Sequence, residues 1–207
     1  MSLIEAVIAL GIIGVVLGVA GMIAQTGSGA FESTSSSLQL DAESRRVTDR
    51  LVSELTGLSS TMMFPDPDLD GAETVTFQTP VGFVDGAPVD GPVIQLSMEY
   101  DAGEIDDGVD NDDDGLVDEC ALVLTRDPGG VDEMRAVLSN SVAEFLDGEL
   151  LNGEDDNGNQ MTDEGGFCVQ RVDDLLIIRV SFVGLDADGE QVTDTIEVFV
   201  ESREEVE

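Results

Sequence analysis

Three hydrophobic rhythms follow one another along this chain. From Leu3 to Ala24 the residues are apolar almost without a break (LIEAVIALGIIGVVLGVAGMIA), and Glu5 is the one charge among them. At 1.5 Å per residue a helix of that length spans roughly 33 Å, enough to cross a bilayer core. A secretory signal peptide would open with a basic residue and be shorter; here no basic residue precedes Arg45. After Gly27-Ser28-Gly29 the spacing changes. Val47, Leu51, Leu55 and Leu58 recur at helical intervals, with Arg45, Arg46, Asp49, Arg50 and Glu54 between them. That pattern predicts an amphipathic helix over 31–60. Pro65-Asp66-Pro67 closes it, because a proline and the residue before it disfavour helix. Beyond it the rhythm shortens to strands at Thr74–Thr79, Val93–Tyr100 and Ala121–Thr125. Leu175–Val183 and Gln191–Val200 predict a final hairpin, turning around Asp186-Ala187-Asp188-Gly189. Val131–Phe145 fits a short helix or a strand.

Composition narrows the chemistry. The 207 residues carry 45 acidic and 8 basic side chains, a formal charge of −37. Every basic residue is Arg; Lys, His and Trp are absent. Histidine-based nucleophile pairs, lysine Schiff bases and Walker-type phosphate loops are therefore excluded. So large a negative charge repels phosphate backbones, so no nucleic-acid binding is expected, and it attracts cations. The 42% apolar content still supports a packed core.

The attraction has a focus. Asp107-Gly108-Val109-Asp110-Asn111-Asp112-Asp113-Asp114-Gly115-Leu116-Val117-Asp118-Glu119 is matched 45 residues later by Asn152-Gly153-Glu154-Asp155-Asp156-Asn157-Gly158-Asn159-Gln160-Met161-Thr162-Asp163-Glu164. Oxygen side chains at alternate positions of a tight loop turn onto one point, a glycine permits the sharp turn, and a backbone carbonyl follows. Asp110, Asp112, Asp114, the Leu116 carbonyl, Asp118 and Glu119 fill that role in the first loop. Asp155, Asn157, Asn159, the Met161 carbonyl, Asp163 and Glu164 fill it in the second. Donors that are all hard oxygens point to Ca²⁺ rather than zinc or copper, and two Ca²⁺ sites are expected. The loops resemble the DxDxDG calcium loops of EF-hand-like and thrombospondin-type repeats, although Ala121 stands where an EF-hand has its last Glu. Asp66, Asp68 and Asp70 form a third, weaker candidate. Carboxylate pairs also serve glycoside hydrolysis, but with no Trp and one Tyr there is no sugar platform, and no enzyme is expected.

Met1-Ser2-Leu3-Ile4-Glu5-Ala6 followed by the apolar run resembles the mature N-terminus of type IV pilins and type II secretion pseudopilins. The family's usual first residue is Phe, and many members have Pro where Met22 stands. The resemblance implies an α+β fold, a long N-terminal hydrophobic helix packed on an antiparallel β-sheet domain with inserted calcium loops. It divides the chain into a membrane or filament-core helix (1–26), its amphipathic continuation (27–60) and a globular β-sheet domain (61–207) with metal loops at 104–119 and 152–164. It further implies a structural subunit of an extracellular filament, held in the inner membrane before assembly and then surface-exposed. Its partners would be copies of itself, the pilus assembly machinery and a prepilin peptidase. Glu5 would meet the Met1 amine of a neighbouring subunit. A minor pilin or pseudopilin, and a non-polymerising membrane-anchored calcium-binding adhesion module, are the alternatives. In an exported domain the single pair Cys120 and Cys168 predicts a disulfide tying the two loops together.

Overall fold

The computed structural model describes residues 11, 14, 17–22, 38–56, 72–85, 87–159, 161–173, 175–186 and 189–201. Helix is confined there to Gly11, Gly14, α1 (17–22) and α2 (38–55). Nine strands make up most of the rest: β1 (Thr74–Phe77), β2 (Pro80–Val84), β3 (Ala87–Asp90), β4 (Ile94–Tyr100), β5 (Cys120–Arg126), β6 (Met134–Val142), β7 (Phe167–Val172), β8 (Leu175–Leu185) and β9 (Gln191–Glu201).

The expected long N-terminal helix packed on a sheet is therefore corrected. The domain is mostly antiparallel β, and among the described residues no helix is long and apolar enough to cross a membrane. The pilin resemblance, with the transmembrane helix and inner-membrane location it implied, loses its structural support. The physical reason lies in packing. Leu17, Val19 and Met22 are exposed, and a Cβ at Gly11, Gly14, Gly18 or Gly21 would meet nothing within 4 Å. Each glycine costs a helix about 1 kcal/mol relative to alanine, and most helical stability comes from burying an apolar face, whereas Leu17, Val19 and Met22 stay largely exposed.

The sheet runs β1-β4-β5-β6-β8-β7, with β9 on the far edge of β8. It nearly closes on itself, because Ala72, just before β1, bridges Val169 of β7 through two backbone hydrogen bonds of 2.8 and 3.0 Å. β2 and β3 form a separate exposed hairpin with Phe83 at its surface. α2 sits where its amphipathic stripe dictates. Val47, Leu51 and Leu55 are buried against Phe77, Leu96, Leu122, Leu124, Val180 and Phe182 in one core. A β-carbon at Gly184 would press on Leu40 Cδ1 at 3.2 Å, so helix and strand approach closely there. The solvent side of α2 carries the ion pair Arg45–Asp41, while Arg46 and Glu43, paired with each other, also reach β6, where Arg46 donates to the Leu138 carbonyl and Glu43 accepts from Ser139.

A carboxylate of α2 enters this packing. Glu54, 9% exposed, accepts from Arg126 of β5 at 2.6 and 2.7 Å and pairs with Arg50 at 2.7 Å. Replacing Arg126 by Met removes one partner and leaves Arg50, so the expected loss is about 1–3 kcal/mol. Urea unfolding measures it; no change in midpoint would show that Arg50 alone suffices.

The expected disulfide is also corrected: both cysteines are free and buried. Strand alternation explains it. Cys120 lies in the main core with Leu122 and Leu124, while Phe167 and Val169 take the core positions on β7. Cys168, between them, turns to the other face and packs with Leu146 and Met161. Burial pushes the Cys120 thiol up to about 12 and the Cys168 thiol to about 11, with Arg179 holding the second back.

Candidate metal centre

Both acidic segments lie at one end of the sheet. The first joins β4 to its antiparallel neighbour β5, and the second joins β6 to β7. Because β5 runs up from that end and β6 back to it, the topology places loops 45 residues apart in sequence side by side at one rim. The turn between β8 and β9 is at the same end. There Gly189 and Glu190 donate to Asp186, as expected of a hairpin turn.

The two loops share most of their internal hydrogen bonds. Asp118 closes the first by accepting from the amides of Asp107 (3.1 Å) and Gly108 (2.8 and 3.1 Å). Asp163 closes the second by accepting from Asn152 (2.8 Å) and Gly153 (2.9 Å). Within the first, the Asp114 amide donates to Asp110 and Asp112, and Leu116 donates to Asp114. Within the second, the Asn159 amide donates to Asp155 and Asn157, and Met161 to Asn159. The left-handed turns recur at Asp113 and Gly158, and at Asp118 and Asp163. Such side-chain-to-backbone bonds are what Asp and Asn offer in tight turns.

Sequence spacing missed one residue in each loop. Glu104 Oε1 accepts from the amides of Asn111 (2.8 Å) and Asp112 (3.0 Å), and Glu149 Oε1 accepts from Asn157 (3.0 Å). Each follows a glycine that lets the backbone pass close to the loop. A Cβ at Gly103 would stand 3.1 Å from Asp112 Cβ, and one at Gly148 would stand 3.3 Å from Asn157 Cβ. The signal was present in the sequence, since Gly103-Glu104 and Gly148-Glu149 keep the same 45-residue offset. It lies upstream of the DxDxDG spacing and so outside that pattern.

The decisive feature is what these carboxylates do not touch. Glu104 Oε2, both oxygens of Glu119, Glu149 Oε2 and both oxygens of Glu164 are buried without a hydrogen-bond partner. Burial, then Asp114, Glu104 and Asp112, push the Glu119 carboxyl up to about 7 against the opposing pull of its own backbone amide. Burial, and after it Glu149, raise Glu164, held back in part by its own backbone amide and by the Asn159 side chain. Desolvation and Asp114 raise Asp112.

Of the residues expected to bind metal, the fold brings Asp112 and Glu119 together with Asp101, and Asp110 and Asp112 together with Glu104. In each group the ligand atoms lie within 4.8 Å of one another, a spacing that can hold a metal ion. Asp118 and Asp163 have their oxygens on backbone amides instead. Leu116 and Met161 are buried, their side chains packed away from solvent. Met1, Glu5, Asp66, Asp68, Asp70 and Gln160 lie outside the described residues. No family model, curated protein or solved structure matches the chain.

Proposed function

We propose that this chain is a calcium-binding β domain whose two rim loops fold around Ca²⁺ and depend on it for stability. The observation that carries the reading is the set of buried, unpartnered oxygens on Glu104, Glu119, Glu149 and Glu164, placed alike in both loops. A loop that is acidic only for solubility turns its carboxylates to water. These four are turned inward, where an ionised carboxylate without a partner costs several kcal/mol. Arg126, Arg135 and Arg179 are engaged by carboxylates of α2, β4 and β9, in Arg126–Glu54, Arg135–Glu99 and Arg179–Glu197. A hard divalent cation supplies the missing partner, and an all-oxygen donor set of carboxylates and amides selects calcium over softer metals. The role is binding and structural, with no catalytic step assigned to the loops.

Calorimetric titration of the chelator-stripped chain tests this. Binding in the range of extracellular modules, about 10⁻⁴–10⁻³ M, is expected. E119Q and E164Q should each weaken calcium in one loop by at least about tenfold, since each removes a charged ligand and leaves side-chain shape intact. E133Q, on an exposed turn away from both loops, should change nothing. Absence of calcium heat in the unsubstituted chain would overturn the reading.

A further inference from the structure

We infer that the first loop holds two cations bridged by Asp112, and the second loop one; this rests on the calcium reading above. Oxygens bound to one calcium stand about 2.3–2.6 Å from it, so two of them are at most about 5 Å apart. In the first loop the carboxylates form two sets of that size rather than one. They are Asp101–Asp112–Glu119 and Glu104–Asp110–Asp112, with only Asp112 in both. Each set has its own buried carboxylate with unpartnered oxygen: Glu119, 1% exposed, in one and Glu104, 5% exposed, in the other. An ion at either set alone leaves the other buried charge uncompensated.

The second loop shows what one position looks like. Asp101, Glu104, Asp110, Asp112, Asp114 and Glu119 correspond to Leu146, Glu149, Asp155, Asn157, Asn159 and Glu164. Six carboxylates become three. Two dications against the first set, and one against the second, leave each loop with a small residual negative charge. The counterpart of Asp101 is filled with hydrocarbon, because Leu146 is 3% exposed and packs with Met161 and Cys168. The bridging Asp112 is replaced by Asn157, whose neutral amide has one oxygen to offer. The Asp101 position is thus a cation site in one loop and a small apolar core in the other.

The test is the number of calcium ions per chain, by calorimetry and native mass spectrometry. About 0.15 M monovalent salt screens diffuse counter-ions. The stripped full chain is expected to take up three ions and D101N two. Asn keeps the side-chain shape, and the backbone bonds at this residue (its amide to the Glu119 carbonyl, its carbonyl from the Glu104 amide, both 3.1 Å) are unaffected by the substitution. E164Q should lower the count to two by emptying the second loop, so the count stays interpretable even if D101N fails to fold. Two ions in the unsubstituted chain would overturn the inference while leaving one ion per loop. Three ions in D101N would overturn the site at Asp101. No uptake at all would overturn both this inference and the calcium reading.

Discussion

Removing calcium at pH 7.5 is expected to lower the melting temperature by roughly 10–20 °C, and the gap is expected to shrink steadily as the pH falls to 5. A ligand at a hundred times its Kd stabilises the fold by about 2.7 kcal/mol per site. One occupied site in each loop therefore gives about 5 kcal/mol, and a chain of this size gains about 2–4 °C per kcal/mol. The pH dependence follows from protons. In the empty fold the Glu119 carboxyl is raised to about 7, first by burial and then by Asp114, against an ordinary value of 4.5. Between those values the folded, empty protein binds more protons than the unfolded chain, so its stability is full below about 4.5 and falls as the pH rises toward 7. Glu164, raised by burial and Glu149, and Asp112, raised by desolvation and Asp114, act in the same direction. Calcium binds the ionised carboxylates, so its contribution is full above about 7 and lost below. The metal-free protein should melt higher at pH 5 than at pH 7.5, and the calcium-loaded protein should gain most at pH 7.5. Scanning calorimetry at both pH values, with and without chelator, measures all four quantities. A metal-free protein that gains stability with rising pH would show that these carboxylates are solvated in the empty loops.

The same loops show what was legible in the sequence. The repeat, its hard-oxygen chemistry and the inward stripe Val47–Leu51–Leu55 were readable because each is a short-range pattern with a fixed period. The strands β1, β4, β5, β8 and β9 were readable for that reason too. Residues 131–145 resisted, because β6 is largely exposed and has no clean alternation. β7 was missed: it is six residues long and places Cys168 and Gln170 between its core positions. Glu104 and Glu149 reach the loops only because a glycine turn folds the chain back over them, a relation that spacing within the DxDxDG pattern does not contain. The N-terminal run misled in the opposite way. Hydrophobicity alone predicted a long helix packed on the sheet, whereas Leu17, Val19 and Met22 are exposed. The cysteines misled through proximity, since both adjoin the loops while strand alternation turns them to different faces.

Gly166→Ala is expected to destabilise the domain by about 3 kcal/mol or more, while Gly165→Ala costs about 1 kcal/mol or less. The two glycines are neighbours at the exit of the second loop, yet their surroundings differ in kind. A Cβ at Gly166 would fall on the backbone carbonyl of Ala143, with Val142 Cγ1 at 3.2 Å behind it. That carbonyl cannot swing aside. The Ala143 amide donates to Ser181 (2.8 Å), the Gly166 amide donates to Glu144 (2.9 Å), and Ser181 donates to Gly166 (2.7 Å), which locks the end of β6, the start of β7 and the middle of β8 together. Overpacking that moves backbone typically costs 1–3 kcal/mol and sometimes more, and here the next residue, Phe167, is fully buried in the core. At Gly165 a Cβ would meet Met98 Cε at 2.7 Å and Glu73 Oε1 at 2.8 Å, the far ends of flexible side chains that can shift, at the expense of no more than the hydrogen bond that Glu73 accepts from the Gly165 amide (2.9 Å). Urea unfolding of the two variants reads the difference. Equal costs would mean that the strand junction yields and that close packing there is unimportant. The substitution also bears on the metal loops, because Glu164 lies two residues before the junction while Glu119 leads directly into β5. In folded G166A the calcium held by the second loop should weaken first and that of the first loop should persist, which ties the second loop's ligand geometry to the closure of the sheet.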